Sequence, residues 1–152
     1  MKKNYFIFTL LLVLSSGIGA QDENTFASKG FTIVLATKNY DRALKLAKEA
    51  SKSLELEFKS RGNSPAKQGG LTSDEVCSCG IKHGYVPRGR YDDGEYVSIE
   101  YSNNYESFRN GYYIVMVCSG DPEELVQQLP KIKEHYHDAY IKNDKVYLGC
   151  MH

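Results

Sequence analysis

Two stretches of this chain share one pattern: a tight run of β-branched and large apolar residues, a polar turn, then apolar positions at helical spacing. The first is Phe31-Thr-Ile-Val-Leu-Ala-Thr-Lys-Asn-Tyr-Asp-Arg-Ala-Leu44. The second is Tyr112-Tyr-Ile-Val-Met-Val-Cys-Ser-Gly-Asp-Pro-Glu-Glu-Leu125. At an offset of 81 residues (114 − 33), Ile33 falls on Ile114, Val34 on Val115, Leu35 on Met116 and Leu44 on Leu125. Each opening run predicts a strand and each continuation a helix. Ala43, Leu44, Ala47, Ala50 and Leu54 form the apolar stripe of the first helix, with Lys45, Lys48 and Lys52 opposite. In the second, Asp121 is the expected N-cap and Pro122 sits at N1, where its missing N–H costs nothing. Leu125, Leu129, Ile132 and Tyr136 make the second stripe, which Pro130 should kink or shorten.

Further strands are predicted after each helix: Leu56–Ser60 and Tyr96–Tyr101, then Ala139–Lys142 and Val146–Gly149 around a turn at Asn143-Asp144. Two β-α-β units sharing one sheet predict an α+β fold, a ferredoxin-like sandwich of two pseudo-repeated units with both helices on one face of an antiparallel sheet. Period-two alternation is expected to place Ile33, Leu35, Ile114 and Met116 under the helices and Thr32, Val34, Tyr113 and Val115 on the other face. In the strand at 96–101, Tyr96, Ser98 and Glu100 should share one side, with Val97, Ile99 and Tyr101 on the other. A long inserted loop at 61–95 interrupts the first unit; inserts of this length are either functional or disordered.

The N-terminus carries a different pattern. Lys2 and Lys3 precede the apolar run Phe6–Leu14, followed by Ser15-Ser-Gly-Ile-Gly-Ala20. This is the layout of a secretory signal peptide at 1–20, and its apolar run spans only about half of a ~30 Å bilayer core. Residues 21–30 are expected to be a flexible lead-in to a single domain at 31–149. Export to the periplasm or the extracellular space follows, with no membrane span after signal removal. The chain has 19 basic and 19 acidic residues, 17 against 19 without Lys2 and Lys3, which offers no electrostatic case for nucleic acid. Twelve tyrosines and no tryptophan suit interfaces and sugar rings, and equally ordinary strands.

Export changes the reading of the four cysteines, Cys77, Cys79, Cys118 and Cys150. In an oxidising compartment an even count predicts two disulfides, of three open pairings; links from the 77/79 loop to Cys118 and Cys150 are favoured. The rival is a metal site from Cys77, Cys79, His83, Cys150 and His152, but C-x-C departs from the usual zinc spacing, so no metal and no cofactor are expected. Enzyme signatures are poor. His135 and His137 stand two apart at a helix end and share no face, and Asp92, Asp93 and Glu95 sit in a turn-like setting. No nucleophile elbow, P-loop or dinucleotide fingerprint occurs.

The run Tyr112-Tyr-Ile-Val-Met-Val, then Asp121-Pro-Glu-Glu-Leu125, a helix and Asp138-Ala-Tyr-Ile-Lys142, resembles the half-repeat of SPOR (sporulation-related repeat) domains, and Phe31–Ser60 resembles the other half. That family consists of exported modules of pseudo-repeated βαβ units that bind peptidoglycan glycan strands. The resemblance covers the layout of residues 31–149. It departs at the 61–95 insertion and at Ala36-Thr-Lys-Asn39 and Cys118-Ser-Gly-Asp121, which lack the family's Gly-Ser/Thr-Phe flavour. It implies a non-enzymatic module binding cell-wall glycan through an open sheet face. Thr32, Val34, Tyr96, Ser98 and Tyr113 are the candidate platform, with Arg88, Arg90 and Arg109 as partners for a muramyl carboxylate. The rival is a protein-interaction or inhibitor module whose Cys-stapled 61–95 loop enters a secreted or envelope protein.

Overall fold

A computed structural model describes residues 25–73 and 84–149. The chain forms β1 (Phe26–Thr37), α1 (Tyr40–Ser53), β2 (Asn63–Pro65), β3 (Leu71–Ser73), β4 (Gly94–Tyr101), β5 (Tyr113–Gly120), α2 (Pro122–Lys133) and β6 (Tyr140–Tyr147). It is an α+β fold. The four long strands make one antiparallel sheet in the order β4-β5-β1-β6, and β2 and β3 form a separate small hairpin.

Both helices start on side-chain caps, that of α2 on the expected Asp121. Asn39 Oδ1 accepts the Arg42 N–H at 2.8 Å, and Asp121 Oδ1 accepts the Glu123 N–H at 2.8 Å. Ala43, Ala47 and Ala50 bury the inner face of α1, and Leu125 and Ile132 that of α2. Pro130 does not end α2, which continues to Lys133.

The strands depart from expectation in three places. First, β1 begins at Phe26, so residues 26–30 belong to the sheet and not to a flexible lead-in; they pair with β6 from Phe26↔Tyr147 to Gly30↔Asn143. Second, β6 is one unbroken strand. Asn143 and Asp144 lie within it, and the Asp144 carboxylate is buried, accepting the Ser107 N–H at 3.1 Å and the Ser107 hydroxyl at 2.9 Å. A buried acceptor with distant donors is worth more here than the turn propensity of Asn-Asp. Third, Leu56–Ser60 makes only one parallel bridge, Phe58 to Val97, along the free edge of β4.

Except at Leu35, which borders the helix-side core as expected, the assignment of faces is reversed. Tyr113 and Val115 pack under the helices with Val97, Ile99 and Val117, whereas Ile33, Ile114 and Met116 lie on the opposite face with Phe31 and Val146. Val34 and Leu35 both border the helix-side core, because register shifts flank Ile33 on either side. Alternation fixes which residues share a face, but both faces are apolar here and both are buried. Every residue of β5 from Tyr113 to Ser119 is buried, the mark of a strand covered on both sides.

Candidate functional site

The second face of the sheet is not an open platform. Tyr105 and Phe108 pack edge-on to Phe31, with ring centroids 5.3 and 6.3 Å away, and the segment 84–93 lies over the β4 side. Tyr96, Ser98 and Glu100 do share one side of β4, as their alternation predicts, but Arg88 enters from above and closes it. The Arg88 side chain has no exposed surface. Its Nε donates to Ser119 Oγ at 2.9 Å and its Nη2 to the Gly94 carbonyl at 2.6 Å. Nη1 donates to the Tyr96 carbonyl at 2.8 Å and to Ser98 Oγ at 3.2 Å. The guanidinium stacks 3.6 Å from the centroid of the Tyr96 ring. Burial lowers the Arg88 pKa, and the nearby Tyr96 and Glu100 only partly oppose that.

Glu100, equally buried, forms the centre of a second cluster. Its Oε1 accepts from Arg61 Nη1 at 2.9 Å, and its Oε2 from the Tyr85 hydroxyl and from the Arg88 backbone N–H at 3.2 Å. Arg61 also bonds the Val86 carbonyl and pairs with Asp92 at 3.0 Å. Burial would lower the Arg61 pKa, but Glu100 and Asp92 override it and hold it above the ordinary value. Tyr85 and Tyr105 are pushed well above theirs, by burial first and then by the Glu100 charge. Two cations and two carboxylates thus fasten 84–93 to the sheet with their charges balanced. Gly89 makes the close approach possible: its φ is +102°, and a Cβ there would stand 2.8 Å from the Phe31 ring.

The expected binding residues therefore separate. Thr32, Tyr96, Ser98, Tyr113 and Arg88 are buried, and Val34 borders the helix-side core. Tyr113 hydrogen-bonds Gly70 of the β2–β3 hairpin. Arg90 bonds the Gly149 carbonyl and sits 5.5 and 5.7 Å from the Tyr91 and Tyr147 ring centroids. Of the acidic candidates, Asp92 serves the clamp and Asp93 pairs with Lys29. Cys118, expected to be one end of a bridge, is a buried free thiol 3.2 Å from Gln128 Oε1; burial pushes it up to about 11. Cys77, Cys79, Cys150, His83, His152 and the signal segment 1–20 lie outside the described residues.

Arg109 alone of the candidates is exposed at an uncovered end of the second face. It lines a groove of about 220 Å³ with Ala36, Phe108, Tyr112, Tyr140 and Lys142. Three cations surround its aromatic walls. Lys38 Nζ is 5.6 Å and Arg109 Cζ 5.8 Å from the Tyr112 centroid, and Lys142 Nζ is 5.2 Å from that of Phe108. Among the described residues no carboxylate lines the groove, and Tyr140 is 43 % exposed. Nothing in local sequence pointed to Tyr112, Tyr140 and Lys142 as a group, since the sheet order assembles them. No family model matches the sequence, and no curated protein or solved structure matches it either.

Proposed function

We propose that the chain is an exported, non-enzymatic module that binds cell-wall glycan, with the groove of Arg109, Tyr112, Tyr140 and Lys142 as its binding surface. The observation that carries this reading is a groove that joins the cation-flanked ring of Tyr112 to the exposed ring of Tyr140, with no acid among the described residues that line it. Sugar rings stack their C–H faces on aromatic walls, and a guanidinium accepts a muramyl carboxylate in bidentate fashion. The element order β1-α1-β4 and β5-α2-β6 with strand order β4-β5-β1-β6 supports a ferredoxin-like pseudo-repeat of the SPOR kind. So does the side shared by Ile33 with Ile114, and by Val34 with Val115.

The test is retention on purified cell-wall sacculi, with and without amidase removal of stem peptides. The wild-type chain should be retained, and Arg109→Ala with Lys142→Ala should lose about tenfold in affinity, as expected for one charge-assisted contact. No binding to either preparation would refute the glycan reading; binding unaltered in the double variant would refute the groove.

A protein partner is the second reading, and it has its own observation. Tyr91, within the 61–95 insertion, is 77 % exposed, and Phe26 and Tyr147 beside it are 50 % and 40 % exposed. Tyrosine and arginine in such a cluster are the residue types of interface hot spots.

A further inference from the structure

The helix side of the sheet holds a second concavity, far in the fold from the glycan groove. Between the end of α1 and the outer half of α2 lies a cleft of about 550 Å³, within the ~300–1,000 Å³ range of small-molecule sites. Its floor is apolar: Leu54, Leu56, Val117 and the Cys118 thiol. The thiol is neutral and already accepted by Gln128, so it serves as a floor contact and not as a nucleophile.

The walls are oppositely charged. Gln128 and Lys131 project from α2, three residues apart, and His135 follows in the turn just past its end. Opposite them stand Glu55, just past the end of α1, and Glu95, which pairs in register with Cys118. Among the described residues, none of Lys131, His135, Glu55 and Glu95 has an ion-pair partner within 4 Å. The cleft thus keeps its charges apart across a gap they do not close. The last carbonyls of α1 add negative potential on the Glu55 side, because α1 ends there on Leu54.

We infer that this cleft binds a small zwitterion of the amino-acid class, a di- or tripeptide with aliphatic side chains. The carboxylate of such a ligand meets Lys131 and His135, its ammonium meets Glu55 and Glu95, and its side chains lie on the apolar floor. A ligand with a single charge satisfies one wall and leaves the other facing it unpaired. That makes the two termini of the peptide jointly necessary.

The probe is leucyl-leucine, titrated into the mature chain by NMR chemical-shift perturbation. Comparison ligands are its N-acetyl form, its C-terminal amide and the doubly blocked peptide. Leucyl-leucine should shift the resonances of Leu56, Val117 and Ile132 and slow alkylation of Cys118. Blocking either terminus should weaken binding by about tenfold or more, the effect of one charge-assisted hydrogen bond. Glu55→Gln should weaken the free dipeptide but not its N-acetyl form, and Lys131→Gln should weaken the free dipeptide but not its amide. Both side chains are exposed, so neither change threatens the fold. Equal affinity for the free and the doubly blocked peptide would overturn the inference, as would absence of shifts at the cleft. The Arg109→Ala, Lys142→Ala variant should bind the dipeptide as wild type, which separates this site from the glycan groove.

Discussion

Replacing Arg88 by methionine tests whether one buried cation holds the 84–93 segment on the sheet. The aliphatic stem of the side chain is conserved, so the change isolates the guanidinium. Four of its partners lie within 3.2 Å: two serine hydroxyls and two backbone carbonyls, those of Gly94 and Tyr96. The hydroxyls can rotate to donate elsewhere; the two carbonyls lose their donor at about 1 kcal/mol each. Loss of the stack on Tyr96, 3.6 Å away in a dry setting, adds about 1–2 kcal/mol. Relief of the desolvation that lowers the Arg88 pKa returns part of this. Glu100 keeps Arg61 and Tyr85, so no bare carboxylate is left, and the loss falls toward the low end of the ~3–5 kcal/mol seen for broken buried pairs. The expected net is about 3 kcal/mol, or about 10 °C in Tm for a domain of this size. Urea unfolding followed by circular dichroism measures the first, and hydrogen exchange measures whether 84–93 loses protection before the rest. Arg88→Lys should recover less than half, since an ammonium lacks the planar fork and the stacking face. A loss below about 1 kcal/mol, or unaltered protection of 84–93, would refute the clamp.

Three other outcomes follow from the same buried face. Tyr85, Tyr105 and Tyr96 are all raised above their ordinary pKa, so the unfolded chain gives up these protons first. Stability should begin to fall above pH ~9, where the unfolded chain gives up the Cys118 proton that burial holds to about 11 in the fold, and steepen above pH ~10 by about a further 4 kcal/mol per pH unit, the sum for three tyrosines; unfolding at stepped alkaline pH measures the slope, and one no steeper than a single group's would contradict the burial. Gly89→Ala should cost about 2–3 kcal/mol, since its Cβ would meet the Phe31 ring at 2.8 Å in a left-handed backbone conformation; thermal melting at parity with wild type would speak against the close approach. Asp144 Oδ2 is buried with no hydrogen-bond partner among the described residues, while Oδ1 serves Ser107. Asp144→Asn should therefore cost under about 1 kcal/mol, but Asp144→Ala about 2 kcal/mol or more, because the Ser107 donors are then left unpaired; equal melting temperatures for the two variants would contradict this.

Local rules were enough for the helices. Asn39 and Asp121 cap them, alanine and leucine stripes set their inner faces, and the alternation of Tyr96, Ser98 and Glu100 against Val97, Ile99 and Tyr101 holds in the structure. These features depend on neighbours within a turn or on the two-residue pleat, so they are written in short windows of sequence. The candidate site was not. Tyr112-Tyr-Ile-Val-Met-Val carried a signal of its covering, since a half-open strand would alternate and this run does not. What covers it could not be read, because Arg88 and Glu100 look like solvated charges until Arg61, Tyr85 and Ser119 arrive from distant positions. The groove at Arg109 likewise exists only because β6 lies beside β1 and brings Tyr140 and Lys142 to Tyr112. The amino-acid pattern by itself determined the helices, the cap of α2 and, outside the irregular β1, which residues share a face. Tertiary structure alone decided which face meets the helices and which polar groups are sheltered from water, because burial and charge pairing are set by residues far apart in the chain.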